Sequence, residues 1–130
     1  MIDWRSMIDK RLIGDHWSQR VKTCNNTRMT LELLAEQIET VADRYAREFH
    51  ITRDDDWYVF KLQEELGELT QKFLMLSGRA RQKGFTQDEI RIQFEDEVAD
   101  TFSLLMLLAR HFGIDIESAV DRKWFKYLKE

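Results

Sequence analysis

Two short runs of acidic residues carry the clearest chemistry in this sequence. The first is EELGE at residues 64–68, and the second is EDEVAD at residues 95–100. Each run contains two acids three residues apart, which share one face of an α-helix, with a small residue just before the second acid. Four carboxylates at close range repel one another unless a cation neutralises them, so two facing helices with these runs predict a metal site. Its four predicted ligands are Glu65, Glu68, Glu97 and Asp100.

The donor chemistry of this predicted site favours a hard cation. Carboxylate oxygens suit Mg²⁺, with Mn²⁺ as a substitute, and both ions engage phosphate oxygens as well. A di-iron bundle needs a Glu-x-x-His motif, and none of the three histidines has a glutamate three positions before it. The lone Cys24 excludes a CxxC zinc site. One acid pair is common on a solvated helix face, so the repetition of the pattern is what supports a metal site.

The composition indicates one helical domain. The chain has 130 residues, 43% apolar and 34% charged, with no proline and five glycines, which disfavours a turn-rich all-β fold. A net charge of −4 argues against a nucleic-acid polymer as partner. No secretion signal or membrane span is visible, and a single cysteine suits a reducing compartment. We therefore expect a cytoplasmic protein without a membrane partner.

Apolar periodicity predicts the helices that position the acids. Residues 1–29 are expected to form an N-terminal helix or arm, and residues 30–130 a bundle of helices with short connections. The TQDE sequence at residues 86–89 is a capping box that begins the helix with the second acid pair. A last helix follows Asp115, and we expect Trp124 in the core.

The acids lie one residue from the apolar stripes of their helices. In the first acidic helix the stripe is Leu62, Leu66, Leu69, Phe73 and Leu76, and in the second it includes Phe94, Val98, Leu105 and Leu108. One residue is a rotation of about 100°, so we expect the acids to flank the core. Gly67 costs about 1 kcal/mol relative to alanine within a helix, which predicts that a partner helix approaches closely there.

These residues resemble the MazG-type all-α nucleoside triphosphate pyrophosphohydrolases, whose pattern is ExxE, a spacer, then ExxD. Here the pattern is Glu65-Leu-Gly-Glu68, a spacer from 69 to 96, and Glu97-Val-Ala-Asp100. The resemblance covers roughly residues 30–128. It implies a four-to-five-helix bundle that is completed by oligomerisation into a homodimer or homotetramer.

The resemblance also implies an activity and roles for residues. The activity is hydrolysis of a nucleoside triphosphate to the monophosphate and pyrophosphate, with Mg²⁺ on the four matched acids. Glu64 is the candidate to position or deprotonate the attacking water, and a solvent-facing role is the alternative. Lys61 and Lys72 each lie four residues from a matched acid, where phosphate contact and a local ion pair are both open. Lys123 matches a family lysine in the last helix, and Trp57 is a candidate for base stacking or for the core.

Two rival functions stay open at this point. The same fold could hydrolyse phosphoribosyl-ATP, or a pyrimidine triphosphate such as dUTP or dCTP. Alternatively, the chain is a non-catalytic helical binding or assembly protein that retains the acidic site. A P-loop NTPase is excluded, because the sequence has no G-x-x-x-x-G-K-[ST] motif.

Overall fold

The computed structural model describes residues 29–129, and within that range the chain is all helical, with four α-helices and no strand. The elements are α1 (Leu31–Glu48), α2 (Asp55–Leu76), α3 (Gln87–His111), α4 (Ile116–Trp124) and a terminal 3-10 helix (Phe125–Lys129). The predicted all-helical fold class is confirmed for this part of the chain. The helix or arm predicted over residues 1–29 lies, apart from Met29, outside the described residues.

The ends of the helices follow from local chemistry. Asp54 begins α2 by accepting a hydrogen bond from the Trp57 amide at 2.9 Å. Thr86 begins α3 with the predicted capping box, in which the Glu89 carboxylate accepts from the Thr86 amide at 2.8 Å. After α2, Gly78 has a φ of +70°, a left-handed conformation that glycine adopts without steric cost.

Helices α2 and α3 form an antiparallel hairpin, which is the most extensive packing in the described chain. Tyr58 near the start of α2 stacks on His111 at the end of α3, with ring centroids 4.2 Å apart. Near the other end, Phe73 of α2 meets Phe94 of α3 with centroids 6.3 Å apart. The early part of α2 therefore lies beside the late part of α3.

Helix α1 packs on the end of the hairpin that carries Tyr58. There the buried core joins Ala42 of α1 with Tyr58, Leu104 and Leu107. Partly buried side chains surround this cluster: Ile38, Trp57, Leu62 and Leu108. The guanidinium of Arg53, in the turn before α2, bonds Glu39 at 2.6 Å and also Asp43, and so ties that turn to α1.

The predicted apolar stripes are only partly covered. Leu62 and Leu108 pack against the core, but four other stripe side chains and the neighbouring Phe102 are each between 40% and 46% exposed. We call these five the apolar face: Leu66, Phe73, Val98, Phe102 and Leu105. The stripes are open because, beyond the end that α1 covers, the two helices bury polar side chains between them, such as Glu65 and Glu97.

Two further expectations from the sequence are wrong for the described part of the chain. A Cβ atom added at Gly67 would meet nothing within 4 Å, so no helix approaches closely there. Trp124 is 67% exposed rather than part of the core. Its nine-residue helix runs directly into the 3-10 helix, and no other described element packs extensively against it, which leaves the tryptophan uncovered.

Across residues 29–129, no helix combines the length and the apolar character that crossing a bilayer requires.

Candidate metal centre

Three of the four predicted ligands meet between α2 and α3. We call this contact the seam: Glu65, Glu68 and Lys72 of α2 meet Glu97 and Gln93 of α3 there. Glu65 and Glu68 project from α2 and Glu97 from α3, and each offers a carboxylate oxygen within 4.8 Å of the others. Glu65 and Glu97 are 1% and 4% exposed, whereas Glu68 is half-buried. The i,i+3 spacing sets the α2 pair on one face, and the antiparallel hairpin brings Glu97 opposite. The acids therefore form the seam itself, although the stripe offset predicted that they flank the core.

Asp100, the fourth predicted ligand, lies outside this group of three. It is half-buried, on the same side of α3 as Glu97 and nearly one turn later. An aspartate side chain is one methylene shorter than a glutamate, so its carboxylate extends less far across the seam. The structure thus joins both acid pairs through three glutamates.

A buried lysine balances part of this negative charge. Lys61 is 4% exposed, and its Nζ lies 2.6 Å from Glu65 Oε1 and 2.8 Å from Glu64 Oε2. Burial disfavours the charged ammonium, but the hydrogen bonds and charges of Glu64 and Glu65 outweigh it and raise the pKa of Lys61 above its usual value. Of the two roles left open by the sequence, the structure shows the ion pair. Glu64 is consequently held by Lys61 at the edge of the cluster.

A second lysine lies at the other end of the seam, with a different partner. Lys72 Nζ donates to Gln93 Oε1 at 2.9 Å, across from α2 to α3. Gln93 is buried, and it precedes Glu97 by four residues on the same face of α3. Gln93 was not among the predicted site residues, because its side chain carries no charge. Its register with Glu97 was the available signal.

The remaining two predicted residues lie away from the cluster. Trp57 is half-buried against the core and meets the Tyr58 ring edge-on, with centroids 5.0 Å apart. This contact agrees with the core alternative for Trp57. Lys123 is exposed near the end of α4, and no hydrogen bond or ion pair in the described part of the chain joins it to the three glutamates.

The donor set fits a hard divalent cation. The clustered groups are carboxylates from two helices, two of them almost fully buried, and such oxygens are the ligands that Mg²⁺ and Mn²⁺ prefer. Three carboxylates at close range repel one another, and a divalent cation bound between them would relieve that repulsion. Comparisons of the chain with family models, with curated proteins and with solved structures gave no match.

Proposed function

We propose that this protein hydrolyses a nucleoside triphosphate to the monophosphate and pyrophosphate, with Mg²⁺ held by the glutamate cluster. The observation that supports the proposal is the meeting of both acid pairs, through Glu65, Glu68 and Glu97, at one buried seam. This arrangement unites the two halves of the ExxE and ExxD pattern in space. Bound Mg²⁺ would neutralise phosphate oxygens and favour attack by water.

The side chains around the cluster have separate roles in this proposal. Asp100 serves as a fourth oxygen ligand from the edge of the seam. Glu64 accepts a proton from the attacking water, and its bond to Lys61 holds its carboxylate in place. Lys72 contacts the phosphates from the far end of the seam. The resemblance adds Lys123 as a further phosphate contact, whereas Trp57 packs against the core and is assigned no contact to the base.

The proposal includes a second copy of the chain. The apolar face presents five large side chains on one surface, which is the kind of patch that subunit association covers. The seam borders this face, because the acids and the apolar stripes are one residue apart on both helices. A homodimer or homotetramer formed there would enclose the cluster from a further side.

Pyrophosphate release from a panel of nucleotides with Mg²⁺ tests the proposal. The panel holds canonical and modified nucleoside triphosphates, including dUTP and dCTP, together with phosphoribosyl-ATP. We expect Glu68→Gln and Asp100→Asn to lose at least about 100-fold in rate, since each removes a charged metal ligand. Glu95→Gln is the matched control, because this exposed acid of the same run pairs with Arg91 at 2.8 Å, away from the cluster.

Each result of the panel discriminates between functions. Turnover that both ligand variants lose and the control keeps supports the proposal and identifies the substrate. Turnover that Glu68→Gln retains at the level of the control contradicts a catalytic role for the cluster. Absence of turnover on every nucleotide, with Mg²⁺ or Mn²⁺, favours a non-catalytic binding or assembly protein.

A further inference from the structure

The two lysines of the seam differ in the charge of the group that holds them. Lys61 lies between two carboxylates and is 4% exposed, so its positive charge is balanced by acidic groups of the protein itself. Lys72 is half-buried, and Gln93, a neutral amide, is its hydrogen-bond partner among the described residues. An amide oxygen orients an ammonium without cancelling its charge. The positive charge of Lys72 therefore stays available to an anion.

The position of this pair relates it to the cluster. Lys72 follows Glu68 by four residues on α2, and Gln93 precedes Glu97 by four residues on α3, so both lie about one helical turn from the glutamates. An ammonium has three donors, and Gln93 accepts from one. An anion held beside a cation in the cluster would meet the other two.

We infer that Gln93 is a positioning residue, which holds the Lys72 ammonium at the far end of the seam for an anionic phosphate oxygen of the ligand. This inference rests on the proposed function and adds to it a residue that carries no charge. A glutamate at position 93 would orient Lys72 equally well but would neutralise it. The amide is thus the feature that lets one site hold a cation and an anion side by side.

The test separates anion binding from cation binding. Calorimetry measures the affinity for Mn²⁺ alone, and then for inorganic pyrophosphate at saturating Mn²⁺. We expect Gln93→Glu to weaken pyrophosphate binding about tenfold, the effect of losing one charge-assisted hydrogen bond, while Mn²⁺ binding becomes no weaker. A merely structural defect would weaken both. Gln82→Glu, the same change on the exposed loop before α3, is the matched control.

A double-mutant cycle tests the positioning role itself. Gln93→Met removes the amide without adding charge, and we expect it to weaken pyrophosphate binding about threefold in the parent chain. In the Lys72→Met background the same change should have no effect, because the group that Gln93 positions is gone. An equal effect in both backgrounds would overturn the inference.

The remaining outcomes distinguish this inference from the proposed function. A parent chain that binds Mn²⁺ and pyrophosphate, with Gln93→Glu indistinguishable from Gln82→Glu, overturns the role of Gln93 and leaves the proposed function intact. A parent chain that binds neither probe overturns both.

Discussion

Lys61 shows, at the scale of single residues, how the seam accommodates a buried acid. Its ammonium lies 2.6 Å from the carboxylate of Glu65, and both groups are almost fully buried. Removing one partner of a buried ion pair leaves the other charge without compensation in a region of low polarity. Lys61 and Glu65 are therefore coupled in stability.

We expect Lys61→Met to lower the free energy of unfolding by about 3 kcal/mol at neutral pH, because Glu65 loses its buried counter-charge. Urea unfolding measures the change, and Lys83→Met on the exposed loop is the control. Added Mn²⁺ should restore part of the loss if the cluster binds the ion. A loss no larger than that of the control would contradict the role of Lys61.

The raised pKa of Lys61 sets the pH range of this effect. A lysine with a higher pKa in the folded state than in the unfolded state stabilises the fold fully below its unfolded value, which is 10.5. That contribution is lost as the pH rises through the folded pKa. The difference in stability between the parent chain and Lys61→Met should therefore stay constant from neutral pH to about pH 10 and shrink above it.

The hydrogen bond between Lys72 and Gln93 could not be predicted from the sequence. The sequence predicted that acids of the two runs would meet, because charge and spacing are local properties, but the group in the structure leaves out Asp100. The sequence left two roles open for Lys61, since a lysine four residues from an acid suits an ion pair and a phosphate contact equally. The partner of Lys72 comes from another helix, and such a contact depends on the register of the hairpin.

At the scale of elements, helix ends were predictable and buried faces were not. Thr86 and Gly78 act through their own backbone neighbours, so the capping box and the glycine stop were readable from the sequence. Which side of α2 is buried depends on the helix that it meets. There the apolar stripe did not predict the buried side, because Lys61 pairs with Glu65 within α2 and Lys72 bonds Gln93 across the seam, so polar side chains are satisfied there.

The prediction for the elements concerns the stability of α2 when Gly67 is replaced by alanine. Because nothing lies within 4 Å of an added Cβ, Gly67→Ala should raise the free energy of unfolding of the single chain by about 0.5–1 kcal/mol, through higher helix propensity. Thermal unfolding at low protein concentration measures it, with Ala99→Gly on the exposed side of α3 as the inverse control. A destabilised variant would instead show that a second copy packs against Gly67.

At the scale of the whole molecule, the apolar face determines the expected assembly. We expect the parent chain to sediment as a dimer or tetramer, and Val98→Asp to shift it toward the monomer, because a charge in an apolar interface is costly. Ile92→Asp is the matched control, since Ile92 is 58% exposed on a different side of the same helix. A monomeric parent chain, or equal effects of both variants, would contradict the proposed interface.

The polar seam of the hairpin has a consequence for folding specificity. Apolar stripes tolerate sliding, since one leucine packs against another after a shift of one turn, about 5.4 Å. The seam does not tolerate such a shift, because it would separate Lys72 from Gln93 and leave buried polar groups unsatisfied. The groups proposed to bind a ligand thus also define a single alignment of α2 with α3, and competing alignments of the two helices are disfavoured before any ligand arrives.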